Sequence, residues 1–335
     1  MKKKISIICG GPSMEYEVSL SSAKSFLKHI DKDKYIPYIF YISKERTTTF
    51  FKPKSNNKIE IPSKNDLKDL FEELPKLKNM YMNILSVHGE FGEDGTLQNI
   101  LEYFHLPFTG SNSKSSTLCM NKYRTGELVA RSLSNETVMV PHTKIFKLKE
   151  LFNSYKLTKD ICIKPNSKGS SIGVYLIKTN DALKKAFKEL KKDFSLNAKF
   201  IVQPLIDYDI EVSCGCLEKK DDDFIELPPI EIIPKNSDFF NYKAKYSKGE
   251  SKEITPPKHI SLKLSKQISK LAIDIHKLLH CNLYSRSDFL IKGNIIYYLE
   301  TNTLPGMTAT SLVPQEANAI GINFTQLIDF LIENS

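Results

Sequence analysis

Three side chains that could bind a metal ion lie in a short apolar stretch near the end of the chain, DFLIKGNIIYYLETNT. Asp288 precedes a Gly-Asn turn, and Glu300 and Asn302 follow it. Alternation along a strand puts Glu300 and Asn302 on one face, and a tight turn at Gly293 brings Asp288 opposite Glu300. Facing carboxylates repel unless a positive charge lies between them, and such oxygen ligands suit Mg2+. On this stretch alone, an exposed strand face with scattered polar residues fits equally well.

Two glycine-containing loops could bring backbone N–H groups close to an anion. CGGPSMEYEV has a glycine pair between a strand and a helix whose opening carries Glu15 and Glu17, and helix capping by these acids is an equally simple explanation. IKPNSKGSSIGV places Lys164 at the end of an apolar strand, where an unpaired charge is costly, and a donor-rich loop follows. Neither loop has GxGxxG or GxxxxGK[ST] spacing, which disfavours a nicotinamide oxidoreductase and a P-loop.

The first third of the chain alternates between strand and helix patterns. The expected strands are KISIICGG, YIPYIFYIS and MNILSVHG, and the expected helices are residues 13–30 and DGTLQNILEYFHL. This alternation predicts a parallel, doubly wound sheet in a domain that ends near residue 115.

The rest of the chain mixes helices with antiparallel pairs of strands. One helix is expected over SSTLCMNKYRTGELVARS, and DICIKP and IGVYLIK are expected to form a hairpin. Further elements are the helix TNDALKKAFKELKKDF, the strands FIVQPLI and IEVSCGCL, the helix LSKQISKLAIDIHKLLH, the hairpin described first and the helix NFTQLIDFLIEN. The polar, basic and aromatic loop from about Lys235 to Pro257 is expected to be a lid.

The composition is that of an ordinary globular protein of 335 residues, with 41% hydrophobic and 26% charged residues. No apolar run reaches membrane-spanning length, and the run from Ile5 to Cys9 is too short for a signal peptide. Six cysteines without a CxxC pair fit buried thiols in a reducing cytoplasm. The net charge of +9 comes from dispersed lysines, which disfavours a nucleic-acid partner.

Seven motifs occur in one order and together resemble the D-alanine–D-alanine ligases of the ATP-grasp superfamily. The motifs are GGPSMEYEVSL, VHGEFGEDGTLQ, MNKYRTGE, IKPNSKGSSIGV, KAKY, SRSDF and LETNTLPGMTATSLVP, and they extend from Gly10 to Pro314. The resemblance implies an α/β and α+β fold of three domains. These are an N-terminal substrate domain with a doubly wound parallel sheet (1–115), a central ATP-grasp domain (116–205) and a C-terminal ATP-grasp domain with the metal site and lid (206–335).

The resemblance also implies an activity. ATP would phosphorylate the carboxylate of one D-alanine, and the amine of a second D-alanine would attack the acyl phosphate to give D-alanyl-D-alanine for peptidoglycan. The enzyme would be cytoplasmic and homodimeric, with no nucleic-acid or membrane partner. The cofactors would be ATP and two Mg2+ ions, for which Mn2+ could substitute.

Site residues follow from matching positions in the motifs. The expected metal ligands are Asp288, Glu300 and Asn302, and the expected ATP-binding residues are Lys122, Lys164, Gln203, Glu211 and Lys245. Many relatives carry Glu at the position of Gln203. Asn121 replaces a usual Asp, and it receives no role.

The amino-acid substrates would occupy a second set of residues. Glu15 would hold the first ammonium group beside His88, for which a satisfied loop histidine is the alternative interpretation. The catalytic residues would be Glu15, Ser170, Arg286, Gly306 and Tyr246, with Arg286 and the Gly306 N–H at the oxyanion and with Ser170 and Tyr246 bonded to Glu15. Ser311 and the backbone at Leu312 would bind the second carboxylate.

Two alternatives remain open on the sequence. The first is an ATP-grasp ligase that makes D-alanyl-D-lactate or another D-amino-acid product, although Tyr246 stands where depsipeptide-forming relatives often carry Phe. The second is a non-catalytic nucleotide-binding or nucleic-acid-binding protein, which the complete set of carboxylates and lysines disfavours.

Overall fold

The computed structural model describes residues 1–55, 58–235 and 251–335. Within these ranges the strands form three β-sheets, two of four strands and one of seven. None of the described helices is long and apolar enough to cross a lipid bilayer.

The first sheet contains the N-terminal strands in the order β3-β2-β1-β4. These are β1 (Lys3–Gly10), β2 (Tyr35–Ile42), β3 (Thr48–Phe51) and β4 (Met82–Leu85). β1 is parallel to β2 and β4, as the alternation predicts, whereas β3 is an antiparallel edge strand. The helices of this part are α1 (Tyr16–His29), the single-turn α2 (Leu70–Glu73) and α3 (Thr96–Tyr103). Ile5, Ile7 and Ile8 are fully buried, as expected for a parallel strand covered on both faces.

Two helices and a short strand follow: α4 (Ser113–Met120), α5 (Lys122–Leu133) and β5 (Val138–Met139). The single helix predicted over residues 115–132 is therefore wrong, because the chain leaves the helical conformation at Asn121 (φ −90°, ψ 87°). The Asn121 side chain accepts the Arg124 N–H at 3.2 Å and so caps α5. A side-chain amide that competes for backbone groups favours this kind of helix start. The break places Lys122 in the first turn of α5.

The second sheet is antiparallel throughout, in the order β6-β9-β7-β8. Its elements are β6 (Lys144–Lys147), α6 (Leu148–Ser154), β7 (Ile161–Pro165), β8 (Tyr175–Ile177), α7 (Asn180–Asp193) and β9 (Lys199–Pro204). The predicted hairpin of β7 and β8 is confirmed. α7 buries Leu183, Ala186, Phe187 and Leu190, which recur at helical spacing.

The third sheet has the order β13-β12-β10-β14-β15-β5, with β11 paired to β10. Its strands are β10 (Ile210–Glu218), β11 (Phe224–Glu226), β12 (Ile230–Pro234), β13 (Ser251–Ile254), β14 (Tyr284–Lys292) and β15 (Ile295–Asn302), together with β5. The helices are α8 (Leu262–Leu278), α9 (Leu312–Ala319) and α10 (Phe324–Asn334). Residues 251–254 of the loop predicted from 235 to 257 thus form the strand β13. Residues 236–250 of that loop lie outside the described ranges.

The last helix packs against α1 and the first sheet. The Phe26 and Phe324 rings stack with centroids 6.2 Å apart, and Lys3 forms an ion pair with Glu333 at 2.8 Å. The chain end therefore joins the C-terminal part to the N-terminal part.

A β-bulge sets the register of the hairpin that carries the candidate metal ligands. Next to the turn, Phe289 pairs with Tyr298, but Asp288 pairs with Glu300, so Leu299 is the extra residue. An unbroken two-residue hairpin would place Leu299 opposite Asp288. The predicted facing of Asp288 and Glu300 is confirmed, and the bulge is what produces it.

Asn121→Ala should destabilise the folded protein by about 1 kcal/mol, because α5 loses its capping acceptor. Asn121→Asp, which keeps an acceptor at the same position, is the matched control and should stay closer to the parent. Denaturant unfolding of the three proteins at one pH measures the difference. Equal free energies of unfolding for the Ala and Asp variants would contradict the capping role.

Candidate active site

Two clefts converge on the hairpin of β14 and β15. The larger encloses about 370 Å³ and is lined by α1, the loop after β4, the Ser170 loop, the hairpin and the start of α9. The smaller encloses about 120 Å³ between the second and third sheets. Lys122 and Glu300 line both clefts, so a group held in one lies next to a group held in the other.

Glu15 presents a carboxylate at one end of the larger cleft. It occupies the N-cap position of α1, but its side chain makes no cap hydrogen bond, and it accepts instead from the Ser170 hydroxyl. A Cβ on Gly89 would lie 2.5 Å from Glu15 Oε2, and one on Gly169 would lie 3.1 Å from it. A side chain at either position would crowd the Glu15 carboxylate, which favours glycine at both. Glu15 is 5% exposed, so its charge acts in a medium that screens poorly.

Ser170 adopts a left-handed backbone conformation with φ of 52°, and the adjacent Ser171 does the same at 57°. This conformation is uncommon for residues other than glycine, and it clusters at ligand-binding loops. The hydrogen bond to Glu15 joins the second-sheet part of the chain to the first. An ion pair between Lys168 and Glu90 connects the same two parts.

His88 is buried beside Glu15 in a defined hydrogen-bond network. Its Nδ1 lies 3.1 Å from Glu93 Oε1 and 3.2 Å from the Leu304 carbonyl oxygen, and both of these are acceptors, so Nδ1 carries a proton. Its Nε2 lies 3.0 Å from the Ser22 hydroxyl. Burial lowers the pKa of His88, but the hydrogen bond and charge of Glu93, the charge of Glu15 and the Leu304 carbonyl together outweigh it, so the pKa lies above its ordinary value.

Arg286 and Asp288 form a bidentate ion pair on β14. The Arg286 Nε and Nη2 atoms lie 2.8 and 2.9 Å from the two carboxylate oxygens, and Ser213 on β10 donates to Asp288 at 2.6 Å. The geometry is the strong fork arrangement of guanidinium and carboxylate. It holds Arg286 at the floor of the larger cleft.

Lys122 bridges the clefts. Its ammonium lies 3.0 Å from Glu300 Oε2 and donates to the Lys168 carbonyl oxygen at 2.6 Å. The repulsion expected between the facing carboxylates of Asp288 and Glu300 is thus balanced by two side-chain cations, Arg286 and Lys122.

The smaller cleft joins apolar walls to charged residues. Val174, Leu176 and Leu290 form part of the wall, and the candidate ATP-binding residues Lys122, Lys164, Gln203 and Glu211 also line it. Gln203 donates to the Thr143 hydroxyl at 2.7 Å, which orients its amide. A cleft with apolar walls and a few polar groups suits a heterocycle bearing phosphates.

The start of α9 forms the far wall of the larger cleft. Ser311 occupies the N-cap position, where its hydroxyl accepts the Thr308 N–H at 3.0 Å, and Leu312 is the first helical residue. A Cβ on Gly306 would lie 3.2 Å from the Ser311 hydroxyl, so glycine lets the Pro-Gly corner close against the helix. The first backbone N–H groups of a helix lack partners within it and attract anions.

The candidate metal ligands offer two carboxylates and one amide oxygen. Among the described residues, no group of three or more His, Cys, Asp or Glu side chains could hold a metal ion. The amide oxygen of Asn302 accepts the Leu304 N–H at 2.8 Å. The donor set fits Mg2+, which commonly takes one or two carboxylates together with phosphate oxygens.

The structure therefore brings together most of the sequence-derived site residues. Around the larger cleft lie Glu15, His88, Ser170, Arg286, Glu300, Asn302, Gly306, Ser311 and Leu312. Asp288 lines the smaller cleft with the candidate ATP-binding residues. Lys245 and Tyr246 lie outside the described residues.

Family models and known structures match the chain along nearly its whole length. The model "D-ala D-ala ligase N-terminus" matches residues 4–111, and "D-ala D-ala ligase C-terminus" matches residues 139–333. The chain belongs to the D-alanine–D-alanine ligase family. It is thus a ligase of an ATP-dependent family that serves peptidoglycan synthesis.

Individual members of the D-alanine–D-alanine ligase family show the extent of the similarity. The D-alanine–D-alanine ligase of Clostridium perfringens (strain SM101 / Type A) is 33% identical, over 99% of this chain and 98% of its own. The VanG D-Ala:D-Ser ligase of Enterococcus faecalis has a TM-score of 0.81 at 30% identity, with 99% of each chain covered. The D-alanine–D-alanine ligase of Bacillus anthracis complexed with ATP has a TM-score of 0.72 at 27% identity, with 99% and 97% covered.

Sequence reasoning about this D-alanine–D-alanine ligase family member missed two supporting residues. Ser213 lies two positions after Glu211 on β10 and therefore shares its face, which is a signal that strand alternation could have supplied. Glu93 lies within the VHGEFGEDG motif, but only the fold shows that it bonds to His88.

Glu93→Gln should lower the pKa of His88 and should cost more stability at pH 6 than at pH 9. A group with a raised pKa in the folded state stabilises the fold below its unfolded pKa, and this contribution disappears as the pH rises through the folded value. Urea unfolding between pH 6 and pH 9, together with NMR titration of the His88 ring, measures both effects.

Glu90→Gln is the matched control, because it removes a neighbouring glutamate that has no contact with His88. Its stability difference from the parent should be the same across that pH range. A pH-independent difference for Glu93→Gln as well would show that His88 does not gain its proton affinity from Glu93.

Proposed function

We propose that this chain joins two D-alanine molecules in an ATP-dependent reaction that proceeds through an acyl phosphate. The observation that carries the proposal is the meeting of the two clefts at Lys122 and Glu300. A carboxylate in the larger cleft would there face the terminal phosphate of a nucleotide in the smaller one. Reaction between two anions depends on positioning and on neutralising charge, and several cationic side chains line the clefts, among them Lys122, Lys164 and Arg286.

The first substrate would bind at the Glu15 end of the larger cleft. The buried carboxylate of Glu15 pairs with its ammonium group, and the hydrogen bond from Ser170 orients that carboxylate. His88, protonated at Nδ1 and held by Glu93, stands beside it. The carboxylate of the bound amino acid then points toward Lys122, where the phosphate of ATP arrives.

ATP would lie in the smaller cleft with its phosphates directed at the hairpin. Lys122 and Lys164 would bind phosphate oxygens, Glu211 would accept from the ribose, and Gln203 would contact the adenine amino group. Lys245 and Tyr246 stay assigned to the γ-phosphate and to Glu15 as predictions, since both lie outside the described residues.

Two Mg2+ ions, or Mn2+ in their place, would be held by Asp288, Glu300 and Asn302. When bound, they would supply positive charge to the phosphate oxygens. Because Arg286 and Lys122 now pair with these carboxylates, metal binding would release both cations toward the substrates. Arg286 and the Gly306 N–H would then stabilise the oxyanion formed when the second amine attacks.

The second substrate would bind between Arg286 and α9. Its carboxylate would accept hydrogen bonds from the Ser311 hydroxyl and the backbone at Leu312, where the helix favours an anion. This arrangement leaves the amine of the second molecule directed at the reacting carbonyl carbon.

D-Serine is a second candidate for this position. The wall near α9 is polar, because Glu253 and Thr310 line the larger cleft and Gln315 donates to both Glu253 and the Thr310 carbonyl. A hydroxyl on the second substrate would find partners there. The similarity to the D-Ala:D-Ser ligase of Enterococcus faecalis agrees with this candidate.

Phosphate release with ATP and Mg2+ tests the reaction, and mass spectrometry of the product distinguishes the substrates. D-Alanine should support turnover and L-alanine should not. D-Alanine mixed with D-serine or D-lactate shows which second substrate is used. Absence of dipeptide with every D-amino acid would overturn the proposal, and a dominant D-alanyl-D-serine product would favour the second candidate.

Other assignments also stay proposals. A cytoplasmic location is proposed because a reducing compartment would keep the six cysteines free. A homodimer is proposed because the family resemblance implies one. The division into residues 1–115, 116–205 and 206–335 follows the three sheets with two exceptions. β5 lies in the central range but pairs with β15 of the third sheet, and α10 packs back on the N-terminal part.

Glu300→Gln should lower kcat by at least roughly tenfold, since even outer-shell changes at metal sites cost 10- to 100-fold. Glu226→Gln, an exposed glutamate on β11 of the same sheet, is the matched control and should leave turnover unchanged. Activity is measured over a range of Mg2+ concentrations, and unfolding is measured in parallel. Normal turnover of Glu300→Gln at low Mg2+ would rule out the metal role.

A further inference from the structure

Two cysteine thiols from distant parts of the chain meet beside the larger cleft. The Sγ atoms of Cys119 and Cys281 lie 3.8 Å apart, and both residues are buried. Cys119 is near the end of α4, and Cys281 lies between α8 and β14. Neither residue has a place in the reaction proposed above.

Both cysteines lie close in sequence to residues of the candidate active site. Cys119 lines the larger cleft and precedes Lys122 by three residues. Cys281 precedes β14, the strand that carries Arg286 and Asp288. A covalent link between the two sulfur atoms would therefore act on Lys122 and on the start of β14 together.

The backbone around the two cysteines is already held together. Ser115 donates to the His280 carbonyl oxygen, Asn112 donates to the Asn282 side chain at 3.1 Å, and the Asn282 N–H reaches the Ser111 hydroxyl at 3.1 Å. A disulfide needs a sulfur separation of about 2.0 Å, so the thiols must approach by about 1.8 Å. Because the segments are tied, this approach is a local movement of α4 and the turn before β14.

We propose that Cys119 and Cys281 form a reversible disulfide that switches the enzyme off when a small peroxide enters the larger cleft. The Cys119 thiol attacks the peroxide to give a sulfenic acid and one water. The Cys281 thiol then attacks the Cys119 sulfur, an S–S bond forms, and a second water leaves. Two thiols lose two electrons in total, and the peroxide is reduced to water.

Inactivation follows from the position of Lys122. Closing the sulfur gap draws the end of α4 toward Cys281 and displaces the first turn of α5, where Lys122 holds Glu300 and the Lys168 carbonyl. Misplacement of a positioning group by about 1 Å can cost on the order of 100-fold in rate. Reduction of the disulfide restores the separation and the activity.

The environment also predicts how fast the disulfide forms. The hydrogen bond with Cys281 and burial raise the pKa of the Cys119 thiol well above its usual value. Since the thiolate is the nucleophile, oxidation should speed up as the pH rises above neutral. ATP with D-alanine should slow it, because bound substrate blocks access to Cys119.

The test treats the full-length enzyme with hydrogen peroxide at pH 7 and pH 9, with and without ATP and D-alanine. Peptide mapping without reductant should show Cys119 linked to Cys281, and activity should fall by at least about tenfold in step with the link. Dithiothreitol should restore it. The map needs no variant and no assumption about the substrate, so it separates this proposal from the proposed function.

Two variants test which thiol is responsible for the loss of activity. The activity of each variant after peroxide treatment is compared with the activity of the same variant before treatment. Cys119→Ser should keep its activity after peroxide, whereas Cys162→Ser, which alters a thiol lining the smaller cleft, should lose activity as the parent does. Absence of the link, a link with full activity, or equal inactivation of Cys119→Ser would each overturn the proposal.

Discussion

The positions of the charged side chains around the hairpin of β14 and β15 determine how the candidate active site is arranged. Asp288 and Glu300 face each other on β14 and β15, and they remain together because Arg286 and Lys122 neutralise them from either side. Buried or half-buried carboxylates of this kind are costly without partners. The same cations are the ones that a nucleotide phosphate and the carboxylate of an amino acid would need.

Each sheet positions a different part of the candidate active site. The first sheet delivers Glu15 and His88 through α1 and the loop after β4, the second delivers Lys164, and the third delivers the hairpin. Short connections between them fix their mutual positions: Ser170 reaches Glu15, and Lys168 pairs with Glu90. Since Gly169 and Ser170 line the larger cleft, these contacts hold one wall of the cleft against the other.

The Cys119–Cys281 pair and the ion pairs at the hairpin share one property. Each is a short-range arrangement that a small change could reverse, whether by metal binding at Asp288 and Glu300 or by oxidation at Cys119 and Cys281. Lys122 takes part in both, as a partner of Glu300 and as a neighbour of Cys119. The break at Asn121 makes this possible, because a continuous helix would not place Lys122 in a first helical turn beside Asn166, whose carbonyl accepts its backbone N–H at 3.0 Å.

The sequence by itself determined the family and the parallel pairing within the first sheet, because these depend on local patterns along the chain. It also predicted that Asp288 and Glu300 face each other, but this register depends on the bulge at Leu299, which a tight turn alone does not supply. Long-range pairs depended on the tertiary structure. Glu15 and Ser170 are 155 positions apart and Cys119 and Cys281 are 162 apart, so no periodicity relates them. The helix break at Asn121 was missed because apolar spacing continues across it, while the competing signal is a single capping side chain. The bulge at Leu299 is likewise visible only in the tertiary structure, because turn chemistry alone predicts an unbroken register.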